Sequence, residues 1–494
     1  MFKKVLIANR GEIALRVIRA CRELGIRTVA VYSDADRWSN YVSQAEEAYC
    51  VGPAPARESY LRMDKILEIA RKSGAQAIHP GYGFLSENAD FSEACAKAKV
   101  QFIGPGPGTM RAVGNKIAAR KTAQKLGVPV VPGISGQVDE AQVLAFGKDH
   151  GYPLLLKAAG GGGGKGLRVV REAKDVAKAI REASSEAGHA FGNSTVFVEK
   201  YISRPRHVEI QVFGDRRGNI LHLGERECSV QRRHQKLVEE SPSVAVDAAL
   251  REKMGETAKR VVKSVGYENA GTCEFLLDEK GKFYFLEVNS RLQVEHPVTE
   301  MLTGLDLVQM QIAVAAGEKL PLKQDEVRRR GHAIETRICA EDPFNGFAPA
   351  TGEVAAVRFP AGPFVRVDSD LRIRSQVTVF YDSLVAKLIV WAEDRATAVE
   401  RMLRALREFK IVGVQTTIPF QIQLFQNRKF RAGRIHTHFV DQEFDFKDVK
   451  ANHHEEAAIL AGALEFLRRE QMTPKYASPR PISPWKLSYR EDGR

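Results

Sequence analysis

At 494 residues the chain is too long for one ordinary domain, and about three are expected. With 44% apolar and 27% charged residues it has the composition of a soluble globular protein, and no apolar run reaches the roughly 18 residues a transmembrane helix needs. The net charge of +13, from 74 basic and 61 acidic residues, is spread along the chain; its one dense run, Arg232-Arg233-His234-Gln235-Lys236, lacks the basic–aromatic interleaving of a single-strand binder, so nucleic acid is not expected.

The N-terminus meets Arg10 and Glu12 too early for a secretory signal. Val5-Leu6-Ile7-Ala8 predicts a strand, Glu12 to Leu24 a helix on the spacing of Ile13, Val17, Ala20 and Leu24, and Thr28 to Tyr32 the next strand, with Gly25 ending the helix. This βαβ unit lacks GxGxxG at Asn9-Arg10-Gly11, which argues against a dinucleotide site. Ala77-Ile78-His79 and Val100 to Ile103 are short strands of the same α/β region, closed by the glycine–proline run 104–108. A second region opens near Asn115-Lys116 and runs to Arg328-Arg329-Arg330-Gly331; it holds a glycine loop and several β-hairpins. Strand-like segments resume over 332–441 with a helix around 395–409. Residues 454–469 have amphipathic helical spacing, and Thr473 to Arg494 carries four prolines, a tail expected to dock on or link to another component. The six cysteines, Cys21, Cys50, Cys95, Cys228, Cys273 and Cys339, form no CxxC pair, so neither a zinc site nor a disulfide framework is suggested and a reducing cytoplasm fits.

Chemistry concentrates in the second region. Lys157 precedes five consecutive glycines, Gly160 to Gly164, whose backbone amides can approach phosphate oxygens without side-chain clash. The Walker pattern fails, and Leu167 to Val170 reads as a strand, so the loop is expected to be a hairpin flap over a nucleotide rather than a P-loop; a plain surface turn is the alternative. Cys273 to Leu277 and Lys282 to Glu287 flank the turn Asp278-Glu279-Lys280-Gly281, which places Glu274 opposite Glu287. Like charges so placed are unfavourable unless a divalent cation lies between them, and Asn289 on the same face completes an oxygen-rich set. From Glu287 every second residue is polar: Glu287, Asn289, Arg291, Gln293, Glu295, with Val288, Leu292 and Val294 behind. At roughly 3.3 Å per residue a straight strand would spread this row over about 26 Å, too far for one small ligand. Either the chain bends after Glu287 or the row serves two neighbouring subsites; with the two ligands that the resemblance given below implies, strand geometry is expected to end after Asn289.

These features resemble the ATP-grasp ligases, and further segments resemble biotin carboxylase: 7–14 (Ile-Ala-Asn-Arg-Gly-Glu-Ile-Ala), 79–88 (His-Pro-Gly-Tyr-Gly-Phe-Leu-Ser-Glu-Asn), Arg206 to Gln211, Gln231 to Lys236, and Glu287 to Pro297. The resemblance covers about residues 1–445. It implies an α/β and α+β fold: an N-terminal Rossmann-like α/β domain (1–112), an ATP-grasp domain (113–330) with a mobile glycine-rich lid at about 131–203, a biotin carboxylase C-terminal domain (331–445), and the tail 446–494. It implies Lys116 and Lys157 on ATP phosphates under the flap glycines Gly162, Gly163 and Gly164. Glu199, Lys200 and the backbone near Ile202 would meet adenine, and His207, Gln231 and His234 would seat the nucleotide. Glu274, Glu287 and Asn289 would bind two Mg²⁺ or Mn²⁺ ions. Lys236, Arg291, Gln293 and the Val294 backbone would hold bicarbonate, with Glu295 its general base. Arg337 would stabilise the biotin ureido oxyanion, and Tyr82 would lie near the biotin. Each has a plainer reading: Lys116 as a helix-start lysine, His207 and His234 as packed or surface histidines, Gln293 as a backbone partner, Arg337 as half of a structural ion pair.

The implied activity is ATP- and bicarbonate-dependent carboxylation of biotin on a separate biotin carboxyl carrier protein, since no Met-Lys-Met biotinylation signature is present. The further expected partners are a carboxyltransferase subunit, and a second copy of the chain in a homodimer through the N-terminal domain, near Arg16, Arg19 and Glu23. Acetyl-CoA, propionyl-CoA and pyruvate all remain open as final acceptors. A carbamoyl phosphate-type ligase is the competing enzyme, disfavoured by Gln293-Val294-Glu295-His296-Pro297; a scaffold retaining the fold is disfavoured by the intact polar row.

Overall fold

The structure, a computed structural model, describes the chain except residues 135, 159–166, 192–194, 447–460 and 469–494. Residues 1–445 make one compact unit. Beyond it, residues 461–468 are helical, inside the span where helical spacing was expected.

Val5, Leu6 and Ile7 are fully buried because their strand, Lys4–Ile7, lies mid-sheet with both faces covered, as continuous apolar runs in parallel sheets require. The sheet has five parallel strands in the order Glu47–Gly52, Arg27–Ser33, Lys4–Ile7, Ala77–His79, Gln101–Phe102. The expected βαβ unit is present, with its helix at Gly11–Glu23 and Gly25 at φ +70° in the turn that follows. Asn9 Nδ2 donates to the carbonyls of Pro80 and Tyr82, both at 2.7 Å, which places the loop after the fourth strand beside the start of that helix.

Eight antiparallel strands form the central sheet, in the order Phe283–Asn289, Asn269–Leu277, Arg206–Gly214, Ile220–Arg232, Gln235–Ser241, His332–Cys339, Leu384–Ala392, Val365–Ser369. It continues across the basic run 328–331, because Val238 and Glu239 pair with Thr336 and Glu335. Alternation decides its faces. Val208, Ile210, Val212, Cys273 and Phe275 pack with Met254, Ala258, Val261 and Val262 of helix Ala248–Lys263, while His207, Glu209, Gln211, Thr272 and Glu274 project from the other side. Strand Phe283–Asn289 ends at Asn289, as expected, and helix His296–Thr303 follows after a short turn.

A separate four-stranded sheet, Gly133–Ile134, Val196–Lys200, Leu154–Ala158 and Leu167–Val170, holds its own apolar cluster with Val143, Phe146, Val176 and Ala183. Leu154–Ala158 and Leu167–Val170 pair antiparallel, so the strands around the glycine loop do form the expected hairpin; Gly162, Gly163 and Gly164 lie outside the described residues. Helix Arg395–Glu408 matches the helix expected around 395–409.

Candidate active site

Register aligns charged residues of four strands across the polar face of the central sheet: Arg226 pairs with Glu209, Glu209 with Glu274, and Glu274 with Glu287. Arg226 is fully buried and uses four of its five donors: Nε donates to Glu209 (2.5 Å), Nη1 to Gln211 (2.6 Å) and Thr299 (2.9 Å), Nη2 to Thr272 (3.1 Å). The Lys236 ammonium sits among three carboxylates, at 2.7 Å from Glu209, 3.1 Å from Glu274 and 2.6 Å from Glu295, which uses all three of its donors. Burial alone would lower the Lys236 pKa, but Glu209, Glu274 and Glu295 hold it well above its ordinary value.

The bend after Asn289 turns the polar row back onto the sheet. Asn289 Nδ2 (2.9 Å) and Gln293 Nε2 (3.2 Å) both donate to Glu274 Oε1, while His207 Nε2 lies 3.1 Å from Glu274 Oε2. Gln231 Nε2 lies 3.0 Å from His207 Nδ1. Burial pushes Glu274 up and His207 down, yet Lys236 and His207 hold the carboxylate below its usual range, and Glu274 raises the imidazole. Val288 and Leu292 are buried behind the row as expected, and Val294 is half-buried. Arg291 donates to Glu87 (2.9 Å), Gln293 (2.7 Å) and Asn289 (3.3 Å).

Glu295 is fully buried between two cations: Oε1 accepts from Lys236 and Oε2 from Arg337 at 3.0 Å. Burial raises its pKa, but Lys236, Arg337 and Arg226 outweigh that and hold it well below the carboxylate range. Arg337 Nε also donates to Glu239 at 2.7 Å; burial pushes Glu239 up to about 7 against the pull of Arg337. Glu335, paired across the strands with Glu239, is fully buried with neither carboxyl oxygen hydrogen-bonded, and burial raises it well above its usual range.

A third group joins the N-terminal helix to this cluster. The Tyr82 hydroxyl donates to Glu12, and the buried Lys387 ammonium lies 3.2 Å from Glu12 and 5.8 Å from the Tyr82 ring. Lys387 also donates to the Val294 carbonyl at 2.8 Å, which leaves the Val294 amide as the group that could meet an anion. Arg16 turns inward, to Glu300 at 2.9 Å and Asp306 at 2.8 Å, and Glu23 accepts from Gln309.

On the four-stranded sheet, Glu199 accepts from Arg120 and lies 2.5 Å from the Lys157 ammonium, and Lys200 donates to the Gly151 carbonyl at 2.9 Å. Ile202 is half-buried just past that strand. Lys116 opens helix Lys116–Lys125; its side chain lies outside what is described. His234 stands exposed at φ +65° in the turn before Lys236 and is not brought into the carboxylate cluster.

The structure therefore gathers Lys236, Glu274, Asn289, Arg291, Gln293, Glu295, His207, Gln231 and Arg337 into one connected network, with Glu287 opposite Glu274. Sequence reasoning missed Glu209, Arg226, Glu239, Glu335, Lys387 and Glu87. His207, Glu209 and Gln211 alternate as the 287–295 row does, and that signal would have found Glu209. The others depend on which strands are neighbours.

A sheet bearing in-register acidic residues, beside a hairpin around a glycine loop, defines an ATP-grasp enzyme. Residues 1–110 match the family model described as biotin carboxylase, N-terminal domain, and residues 335–442 the biotin carboxylase C-terminal domain. Residues 115–323 match the model for the carbamoyl-phosphate synthase L chain, ATP binding domain. A biotin carboxylase from Nostoc sp. is 53% identical over 89% of this chain and 99% of that protein. One of the pyruvate carboxylase subunits of Methanothermobacter thermautotrophicus is 52% identical over 90% of each chain. The solved biotin carboxylase–β-γ-ATP complex from Campylobacter jejuni superposes with a TM-score of 0.86 at 46% identity, over 89% of this chain and 99% of that one. The biotin carboxylase domain dimer of 2-oxoglutarate carboxylase from Hydrogenobacter thermophilus, solved with MgADP, ADP and bicarbonate, gives 0.85 at 46% identity, over 91% and 100%. The chain belongs to the biotin carboxylase family.

Proposed function

We propose that this chain carboxylates biotin on a separate carrier protein, using ATP and bicarbonate through carboxyphosphate, as the first half-reaction of a biotin-dependent carboxylase. One observation carries the residue roles: a single ammonium, Lys236, links Glu274, on the phosphate–metal side, to Glu295, on the side where an acid–base step is needed. Carbamoyl phosphate-type chemistry shares the ATP-binding region, but the relatives that match nearly end to end include a biotin carboxylase and a pyruvate carboxylase subunit.

The residues present fit a divalent cation. Glu274 and Glu287 pair across the strands and Asn289 adds an amide oxygen, a donor set of the kind a hard divalent cation takes. Glu274, Glu287 and Asn289 would hold Mg²⁺ or Mn²⁺, which supplies charge neutralisation between the phosphates. Lys157, which now pairs with Glu199, would exchange that carboxylate for ATP phosphates, and Lys200, at the end of its strand, and the backbone near Ile202 would meet adenine with Glu199.

In the resting arrangement Glu295 is a weak base, because both its oxygens are committed to cations. Bicarbonate entering between Lys236 and Arg291 draws Lys236 to itself, so Glu295 loses one of its two cations. Glu295, still buried, then rises toward base strength. It takes the bicarbonate proton as the bicarbonate oxygen attacks the γ-phosphate and ADP leaves, a step to which a positioned carboxylate contributes roughly 10²–10⁴-fold. Gln293 and the Val294 amide orient the anion. Carboxyphosphate breaks down to CO₂ and phosphate, and that phosphate takes the ureido proton of biotin. Arg337, released from Glu295, pairs with the biotin enolate, with Tyr82 nearby, as the ureido nitrogen attacks the CO₂ to give carboxybiotin.

The wider assembly follows from the same reading: a biotinyl carrier, a carboxyltransferase subunit that selects the acceptor, a homodimer as in the 2-oxoglutarate carboxylase domain, and a cytoplasmic setting. Six free cysteines, and the absence of any helix among the described residues long and apolar enough to cross a membrane, support that setting. The test is bicarbonate-dependent release of phosphate from ATP, stimulated by free biotin; release that ignores bicarbonate overturns the reading.

A further inference from the structure

A second ionisable group lies outside the active-site network, where helix Ala248–Lys263 crosses strand Ile220–Arg232. His222, near the start of the strand, has no solvent exposure, and neither ring nitrogen has a hydrogen-bond partner. A buried imidazole with both nitrogens unsatisfied is costly, and native proteins rarely carry one without a reason. Its backbone is fixed: the N–H donates to Gln324 Oε1 and the carbonyl accepts from Gln324 Nε2, both at 2.9 Å. Its ring is fixed too. A Cβ at Gly255 would lie 2.5 Å from the imidazole, so only glycine there lets the ring press against the helix.

That contact aims the ring at Glu252 and Glu256, which stand one turn apart on the same helix face. Glu252 Oε2 is 3.6 Å from His222 Nε2, and one donor atom from each of the three residues lies within 4.8 Å of the other two. Zinc–ligand bonds of about 2.0–2.2 Å put neighbouring donors roughly 3.3 Å apart in a tetrahedron, so small side-chain movements close the set.

We propose that His222, Glu252 and Glu256 form a divalent-metal site, distinct from the ATP–metal site, with solvent completing the shell. One imidazole nitrogen with two carboxylates suits a borderline transition ion of the Zn²⁺ type; Mg²⁺, which prefers oxygen and water, belongs with Glu274 and Glu287. Burial, with Arg329 and Lys259, keeps His222 below its ordinary pKa against the opposing pull of Glu252 and Glu256, and the neutral imidazole is the form that ligates. Lys259 already holds Glu256 Oε1 at 2.7 Å and competes with the ion for that carboxylate. Bound metal would pin the helix to the strand that carries Arg226 and Gln231.

The test titrates the full chain with Zn²⁺, and with Co²⁺ as the absorbing probe, under saturating MgADP to occupy the nucleotide site. One Zn²⁺ per chain is expected, with a rise in melting temperature. Glu252 and Glu256 are exposed, so Glu252→Gln and Glu256→Gln leave the fold intact; each should weaken Zn²⁺ by more than about tenfold, since even outer-shell partners contribute that much. Lys259→Gln should tighten it. Bicarbonate-dependent ATP hydrolysis in Mg²⁺ should be unchanged in all three. Equal Zn²⁺ affinity in wild type and both glutamine variants would place the ion elsewhere and overturn the proposal. Absence of any heat or absorption change on adding the metals would overturn it as well, leaving a histidine–carboxylate pair only.

Discussion

Replacing Glu295 by glutamine tests the centre of the mechanism with the smallest change in shape. The substitution removes the negative charge and leaves one acceptor oxygen where there were two, so only one of the hydrogen bonds from Lys236 and Arg337 can persist. Lys236 keeps Glu209 and Glu274, and Arg337 keeps Glu239, so neither cation is stranded. Stability should therefore fall by only about 1–3 kcal/mol, well under the cost of leaving a buried charge unpaired. Turnover should fall far more. Loss of a positioned base costs roughly 10²–10⁴-fold, equivalent to about 3–5 kcal/mol in the barrier. The assay measures bicarbonate-dependent phosphate release with free biotin, alongside calorimetric binding of ADP. Expected is a collapse of kcat with nucleotide affinity within about twofold of wild type, because the lost interaction belongs to the transition state. Retention of more than a third of the wild-type rate would refute the base assignment. A collapse of nucleotide affinity to match would show instead that Glu295 only braces the sheet.

Arg226→Lys offers a single ammonium where four acceptors are now held, so chemical denaturation should report a loss of roughly 2–5 kcal/mol; a loss below about 1 kcal/mol would mean the buried fork is not needed. Glu287→Gln, which leaves Glu274 facing an amide, should raise the Mg²⁺ concentration needed for half-maximal activity, and chelation should abolish activity in the wild type; an unchanged metal requirement would remove Glu287 from the metal set. Glu239 is raised by burial from its ordinary value of 4.5 to about 7, so between those values the unfolded chain releases this proton first and stability falls as pH rises. Glu239→Gln should flatten that segment of the stability–pH curve, an effect on the order of 3 kcal/mol at most; an unchanged slope between about pH 4.5 and 7 would rule it out.

Sequence alone determined the local features of this protein. Period-two alternation assigned the 287–295 row to one face, the turn 278–281 set Glu274 opposite Glu287, and the row's length called for a bend or for two subsites. Those properties follow from backbone geometry over a few residues. Tertiary structure decided the rest. Lys236 meets Glu209, Glu274 and Glu295, which lie 27, 38 and 59 residues away, and Arg337 reaches Glu239 across 98 residues. The basic run at 328–331 signalled a break in the chain, while the sheet passes across it through the pairing of Glu239 with Glu335. The order of strands arises from burying one apolar face along the whole sheet, a sum over many residues that no short segment contains. Hence the kinds of group in the site were legible in order along the chain, whereas the partners that set their charge states were fixed only when distant strands became neighbours.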